Sequence, residues 1–219
     1  MNEIKHHLTD ALLMGYAAGT LPEAFDAVVA AHVSMCDECR ARLMSFDAVG
    51  GAMLEDVGAG ATDEARLDES LAATMALITS GPVAKLNPPR PRGGVLPAPV
   101  QEMVGGDLDA VRWRRIGGGV RQSFIKTHGE GTLRLLRIPG GVAVPDHGHR
   151  GTELTLVLKG AFRDEEGRFG PGDLEVADED LEHQPIAEEG EDCICLAATD
   201  APLRFNAMIP RLAQGILRI

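Results

Sequence analysis

A run of prolines divides this chain of 219 residues into two parts with different hydrophobic periods. Six prolines fall in the stretch G-P-V-A-K-L-N-P-P-R-P-R-G-G-V-L-P-A-P-V-Q-E-M-V. Because proline lacks an N–H donor and clashes with the preceding helical turn, we expect no regular helix there. The sequence therefore predicts a first domain over residues 1–80, a linker over 81–104, a second domain over 105–200 and a C-terminal extension over 201–219.

The first part carries helical patterns. Thr9 and Asp10 are both placed to cap one helix, and Gly19 is placed to end it. The stretch T-L-P-E at residues 20–23 has the spacing of a capping box for a second helix. We expect two further helices to begin near Asp37 and Asp63, so that the first domain is a small helical bundle.

After residue 104 the apolar residues recur with a period of two. Short β-prone segments such as T-L-R-L-L-R-I, L-T-L-V-L-K and C-I-C-L-A-A-T are separated by glycine-rich turns. This pattern predicts an all-β barrel or sandwich of about a hundred residues. The fold class is therefore α+β multidomain, with helices first and strands second.

Composition limits the function further. The formal net charge of −12 argues against direct nucleic-acid binding, because phosphate contacts need lysine and arginine. No apolar run is long enough to span a membrane, and the N-terminus lacks the apolar core of a signal peptide. We therefore expect a cytoplasmic protein without a membrane partner, in a compartment where closely spaced cysteines are metal ligands or redox groups more often than disulfides.

A histidine and two cysteines lie close together in the helical part. His32, Cys36 and Cys39 follow the spacing H-x3-C-x2-C. Structural zinc takes four nitrogen or sulfur ligands, so a fourth must come from elsewhere in the chain. His6 and His7 are the candidates, and we favour His7 because it lies nearer the first helix. The alternative is that the cysteines pack as small apolar residues and the histidines are exposed.

Residues 5 to 80 resemble a known family of regulators. H-x3-C-x2-C, the upstream His7 and the stretch D-A-L-L-M-G-Y-A-A-G-T-L look like the zinc-binding anti-sigma domain of ChrR-type proteins. The resemblance implies a zinc-stabilised bundle of four helices that binds an alternative sigma factor, and it implies zinc ligation by His7, His32, Cys36 and Cys39. Metal binding would add the stability that so small a core lacks.

Residues 141 to 160 fit the first cupin motif, G-x5-H-x-H-x3-E-x6-G, at every fixed position. His147 and His149 are two apart on a predicted strand, so they point to the same side, and Glu153 follows. His183 is the candidate fourth ligand, although it lies further along the chain than the usual spacing. Three histidines and one glutamate suit zinc, iron, manganese or nickel, and the ChrR resemblance favours zinc. The alternative is a cupin barrel that has lost its metal.

Cys193 and Cys195 share one face of a predicted strand. They are either a redox-sensitive pair near the cupin metal or two buried small side chains, and the sequence leaves both open. His128 and Trp113 have no cluster of polar residues around them, and we interpret both as structural.

Two functions remain. By resemblance, the chain is an anti-sigma factor that holds an extracytoplasmic-function sigma factor in a one-to-one complex. Its cupin domain would then release the sigma factor in response to singlet oxygen or organic hydroperoxides. The alternative is a metal-dependent cupin dioxygenase with an accessory zinc domain, although the sequence shows no general base beyond the ligands. The first reading, which is not an enzyme, explains both motifs and their order.

Overall fold

The computed structural model describes residues 3–58, 64–81, 93–148, 150–201 and 204–205. Five helices are present in these ranges: α1 (Asp10–Ala17), α2 (Glu23–Met35), α3 (Asp37–Gly58), α4 (Glu64–Ser80) and α5 (Ala98–Val104). No helix in these ranges is long and apolar enough to cross a bilayer. Twelve short strands follow, so the predicted order of helices and then strands is confirmed.

The strands are β1 (Arg114–Gly117), β2 (Val120–Ile125), β3 (Thr132–Ile138), β4 (His147–Gly148), β5 (Glu153–Lys159), β6 (Phe162–Arg163), β7 (Arg168–Phe169), β8 (Leu174–Ala177), β9 (Glu182–His183), β10 (Ile186–Ala187), β11 (Cys193–Thr199) and β12 (Arg204–Phe205). A six-stranded antiparallel sheet has the order β1-β2-β3-β11-β5-β8. Two three-stranded sheets, β10-β6-β7 and β12-β4-β9, complete the barrel.

Alternation along β11 explains why this central strand is buried at every position. Cys193 and Cys195 face the barrel interior, where they pack with Phe162 and Phe169. Ile194 and Leu196 face the other way and join a core that includes residues of α2. The six-stranded sheet thus buries one face in the barrel and the other under the helices, which is the two-layer condition for a stable sheet.

The expectation of no regular helix among these prolines is wrong for the last part of the stretch. Helix α5 begins after Pro97, contains Pro99 in its first turn and ends at Gly105, whose φ is 84°. Proline is tolerated in a first helical turn because its missing N–H would have no helical partner there. Helix α5 packs against α2, while residues 82–92 of the predicted linker lie outside the described residues. The proposed division into domains stays a prediction.

The predicted capping box is also wrong. Helix α2 has Pro22 at its N-cap and no side-chain cap. Thr20 instead donates its hydroxyl to the carbonyl of Gly15, 3.2 Å away, in the last turn of α1. A helix leaves its last carbonyls without partners, and Thr20 satisfies one of them. The cap predicted at Thr9 is confirmed, since its side chain accepts from the Leu12 amide at 3.3 Å.

Candidate metal centres

The four residues predicted for the helical site come together in the fold. His7 lies in the segment before α1, His32 in the last turn of α2, Cys36 between α2 and α3, and Cys39 in the first turn of α3. Their ligand atoms all lie within 4.8 Å of one another. His7 Nδ1 is 3.3 Å from the Cys36 sulfur and 3.6 Å from the Cys39 sulfur. We call this group the helical site.

The donor atoms of the helical site fit a tetrahedral metal. Zinc bonds to nitrogen and sulfur of about 2.0 to 2.3 Å place neighbouring ligand atoms roughly 3.3 to 3.8 Å apart. His32 is completely buried, and neither of its ring nitrogens has a hydrogen-bond partner among the described residues. A buried nitrogen without a partner is costly, and coordination to a metal removes that cost. Zinc bound here would tie the N-terminal segment to α2 and α3.

Burial decides the protonation of this group when no metal is bound. It raises the pKa of Cys39 to about 11, against the opposing effect of the Leu8 backbone. It also lowers the pKa of His32 to about 4, with a further contribution from the charge of His7. Cys39 is therefore a thiol and His32 a neutral imidazole in the metal-free fold. A metal binds the thiolate form of cysteine, so metal binding must release protons here.

A carboxylate supports one ligand from outside the helical site. Glu38 Oε2 lies 3.4 Å from His7 Nε2, on the side of the ring away from the sulfur atoms. A carboxylate on one imidazole nitrogen fixes the tautomer that presents the other nitrogen to a metal. Sequence analysis did not single out Glu38, although its position between the two cysteines was a usable signal.

Strand register brings two of the four predicted cupin ligands together. His147 on β4 and His183 on β9 are direct antiparallel partners, and their ring centroids lie 4.8 Å apart. Glu153 is buried at the start of β5. It shares the barrel-facing side of that strand with Thr155, which donates to it at 3.3 Å. His149 lies outside the described residues. The register of β4 and β9 explains how His183 reaches His147 despite its distance along the chain.

Three charged residues of this region were missed by sequence analysis. Asp164 Oδ2 and Glu175 Oε1 lie 2.8 and 3.1 Å from His183 Nδ1. These two carboxylates and His183 themselves form a group with metal-ligand spacing. Arg134, which is 4% exposed, lies 3.8 Å from Glu153. A charged residue at an inward position of a strand was the available signal for Glu175 and Arg134.

The electrostatics of this group differ from those of the helical site. Burial alone would lower the pKa of His183, but the hydrogen bonds and charges of Glu175 and Asp164 raise it to about 9. Burial raises the pKa of Glu175 to about 7, against the lowering effect of His183. In the metal-free fold His183 is therefore an imidazolium between carboxylates. A carboxylate on Nδ1 also leaves Nε2 as the nitrogen available to a metal.

Cys193 and Cys195 lie inside the barrel, with their sulfur atoms 3.5 Å apart. Both are completely or almost completely buried. The hydrogen bond with Cys193 and burial raise the pKa of Cys195 well above its usual value. Both side chains are free thiols in this fold.

His128, interpreted as structural, lies at the surface beside Glu23.

Comparison with known proteins relates both parts of the chain to one family. Residues 101–202 match the model of the ChrR cupin-like domain. The chain is 58% identical over 216 residues to the anti-sigma-E factor ChrR of Cereibacter sphaeroides, covering 99% of both chains. It also resembles ChrR in the crystal structure of Rhodobacter sphaeroides SigE in complex with the anti-sigma ChrR. That match has 57% identity and a TM-score of 0.77, and it covers 90% of this chain and 100% of the other. The chain therefore belongs to the family of the anti-sigma factor ChrR.

Proposed function

We propose that this chain is an anti-sigma factor that binds one alternative sigma factor and releases it under oxidative stress sensed by the cupin domain. The identity of 58% to a protein named as an anti-sigma-E factor extends over both parts of the chain. A solved relative was crystallised in complex with SigE. These relatives are regulators by name, which favours this function over the cupin dioxygenase.

The exposed surface of α4 is the observation that supports this proposal. Every residue from 66 to 80 is exposed. Leu67, Leu71, Met75 and Ile78 nevertheless form a stripe at helical spacing, with exposed fractions between 51% and 67%. An apolar stripe left in water marks a surface that a partner covers. We call Leu67, Leu71, Met75 and Ile78 the α4 stripe and assign the sigma factor to it.

A second set of exposed apolar residues lies on α3. Met44, Val49, Met53 and Leu54 of α3 are between 60% and 74% exposed. The helical site holds the first turn of the same helix. We propose that zinc at His7, His32, Cys36 and Cys39 orients α3, and through it the surface offered to the sigma factor.

The cupin residues supply the proposed sensor. His147, His149, Glu153 and His183 would hold zinc, with Arg134 and the two carboxylates at His183 balancing the charge around them. A metal in such a site supplies Lewis-acid chemistry toward a bound oxygen species. Cys193 and Cys195 are a possible second oxidant-sensitive group. Burial and the raised pKa of Cys195 favour packing as their role in the resting fold.

The experiment is co-purification of the full-length, zinc-loaded chain with the sigma factor encoded beside its gene. Leu71→Glu with Met75→Glu places two charges on the α4 stripe, and we expect about a 100-fold or greater loss of affinity. Ala73→Glu with Ala76→Glu is the matched control, because these residues lie on the opposite face of the same helix. All four side chains are exposed, so folding should be unaffected.

Two outcomes would contradict this proposal. If the unmodified chain forms no complex, it is not an anti-sigma factor for that partner, and a substrate for the cupin site should be sought instead. If both pairs of substitutions weaken binding equally, the α4 stripe is not the sigma-binding surface.

A further inference from the structure

The N-terminal segment joins the helices to the barrel at the turn between β7 and β8. Strand β8 is an edge strand of the six-stranded sheet. The amide of Leu174, its first residue, donates to the carbonyl of His6 at 3.1 Å. Ile4 lies directly over Gly172, where an added Cβ would come within 2.5 Å of its side chain. The His6 ring packs on Phe169 with a centroid distance of 4.3 Å.

One buried carboxylate fastens this junction. Asp173 is 4% exposed, and its Oδ1 accepts from the Lys5 amide at 2.6 Å and from the His6 amide at 2.9 Å. Its other oxygen accepts from the Gly170 amide at 2.8 Å and so shapes the turn itself. Hydrogen bonds to a charged acceptor are about twice as strong as neutral ones. Asp173 is therefore the strongest single tie between the N-terminal segment and the sheet edge.

Asp173 lies between the two metal-capable groups. The residue after His6 is His7, a member of the helical site. Two residues after Asp173, Glu175 on β8 contacts His183 of the cupin site. Asp173 contacts the segment that leads to the helical site, and Glu175 contacts the cupin site. Only two residues of backbone therefore separate these contacts. Asp173 and Glu175 are two residues apart on the backbone that leads into β8, so we expect a displacement of Glu175 to shift the carboxylate of Asp173.

We propose that Asp173 is a latch that transmits the state of the cupin site to the His7 end of the helical site. When His183 is held by Asp164 and Glu175, β8 keeps Asp173 aligned with the amides of Lys5 and His6. A change that moves Glu175 loosens these hydrogen bonds and frees the segment that carries His7. This inference rests on the proposed function, because it gives the proposed sensor its route to the sigma-binding helices.

Hydrogen exchange of the N-terminal peptide tests the latch without any sigma factor. The full-length, zinc-loaded chain is compared with Asp173→Asn, Glu175→Gln and the double variant, and exchange is followed by mass spectrometry over residues 3–9. We expect Asp173→Asn to speed exchange at Lys5 and His6 by about tenfold or more. Glu175→Gln should speed it as well, and the double variant should exchange no faster than Asp173→Asn alone.

Glu182→Gln is the matched control, because Glu182 is exposed on β9 next to His183. If Glu175→Gln exchanges like this control, the cupin site is not coupled to the segment and the proposal fails. It also fails if the effects of the two substitutions add in full. Should Glu175→Gln not fold, Asp164→Asn removes the other carboxylate charge from His183 and allows the same comparison. Co-purification with the sigma factor is an independent assay, so either proposal can fail alone.

Discussion

At the scale of single residues, the helical site depends on which nitrogen of His7 faces the sulfur atoms. His7 is the least buried of the four ligands, with a side chain 24% exposed. Its Nδ1 faces the cysteine sulfur atoms, while the Glu38 carboxylate lies beside its Nε2. A partly exposed ligand in a segment without regular structure loses the most rotational freedom on binding, so its orientation needs such support.

We predict that Glu38→Gln weakens metal binding at the helical site about tenfold, the lower end of the usual range, because Glu38 is itself exposed. Cobalt is the probe, since only the site with cysteine ligands gives a thiolate-to-cobalt charge-transfer band. The cobalt concentration for half-saturation of this band is the measurement. Glu55→Gln on the same helix is the control and should leave it unchanged. An unchanged value for Glu38→Gln would show that Glu38 does not position His7.

At the scale of elements, the two threonines that flank α1 make hydrogen bonds of opposite direction. Thr9 caps the start of the helix by accepting from an amide, whereas Thr20 donates to a carbonyl at its end. The Leu12 amide lies in the first turn, where no helical carbonyl is available to it, whereas the Gly15 carbonyl also accepts from the Thr20 amide at 2.9 Å.

Removing each hydroxyl should therefore have unequal effects. We expect Thr9→Ala to lower the free energy of unfolding by about 1 kcal/mol and Thr20→Ala to change it by no more than about 0.5 kcal/mol. Urea denaturation of the zinc-loaded full-length chain measures both. A larger loss for Thr20→Ala would indicate that Thr20 caps α2 after all.

At the scale of the whole molecule, helices and barrel share one apolar core. Apolar residues of α1, α2 and α5 pack with those of β3, β5 and β11 in a single cluster. Closely packed interfaces do not deform continuously. A displacement on one side therefore shifts the other side from one packed arrangement to another. A chemical change inside the barrel therefore has a physical route to α1, α2 and α5, which share this core.

We predict that His147→Ala with Glu153→Ala retains the sigma complex but abolishes its release by singlet oxygen or organic hydroperoxide. The substitutions lie inside the barrel and leave the α4 stripe unchanged. The measurement is the fraction of sigma factor bound before and after exposure to the oxidant. Thr132→Ala, an exposed change on β3, is the control. Normal release from the double variant would remove the cupin site from the sensing mechanism.

The local pattern of the sequence was sufficient for features that depend on near neighbours. Hydrophobic periods distinguished helices from strands, and the spacing of His32, Cys36 and Cys39 required only one turn between two helices. The upstream His7 followed from the need for a fourth ligand together with the family resemblance. The helix and strand predictions succeed because hydrophobic periods act over a few residues, while the role of these residues as zinc ligands stays a prediction.

Tertiary structure alone decided what depends on distant neighbours. Asp164 and Glu175 lie 19 and 8 residues from His183 in the chain and meet it only in the folded barrel, and the link from Asp173 to the N-terminal segment spans more than 160 residues. Helix α5 forms among prolines because Pro97 and Pro99 occupy positions where no amide is needed. Burial raises the pKa of Cys39 against the opposing effect of the Leu8 backbone, and this burial is a property of the assembled core and not of any local segment.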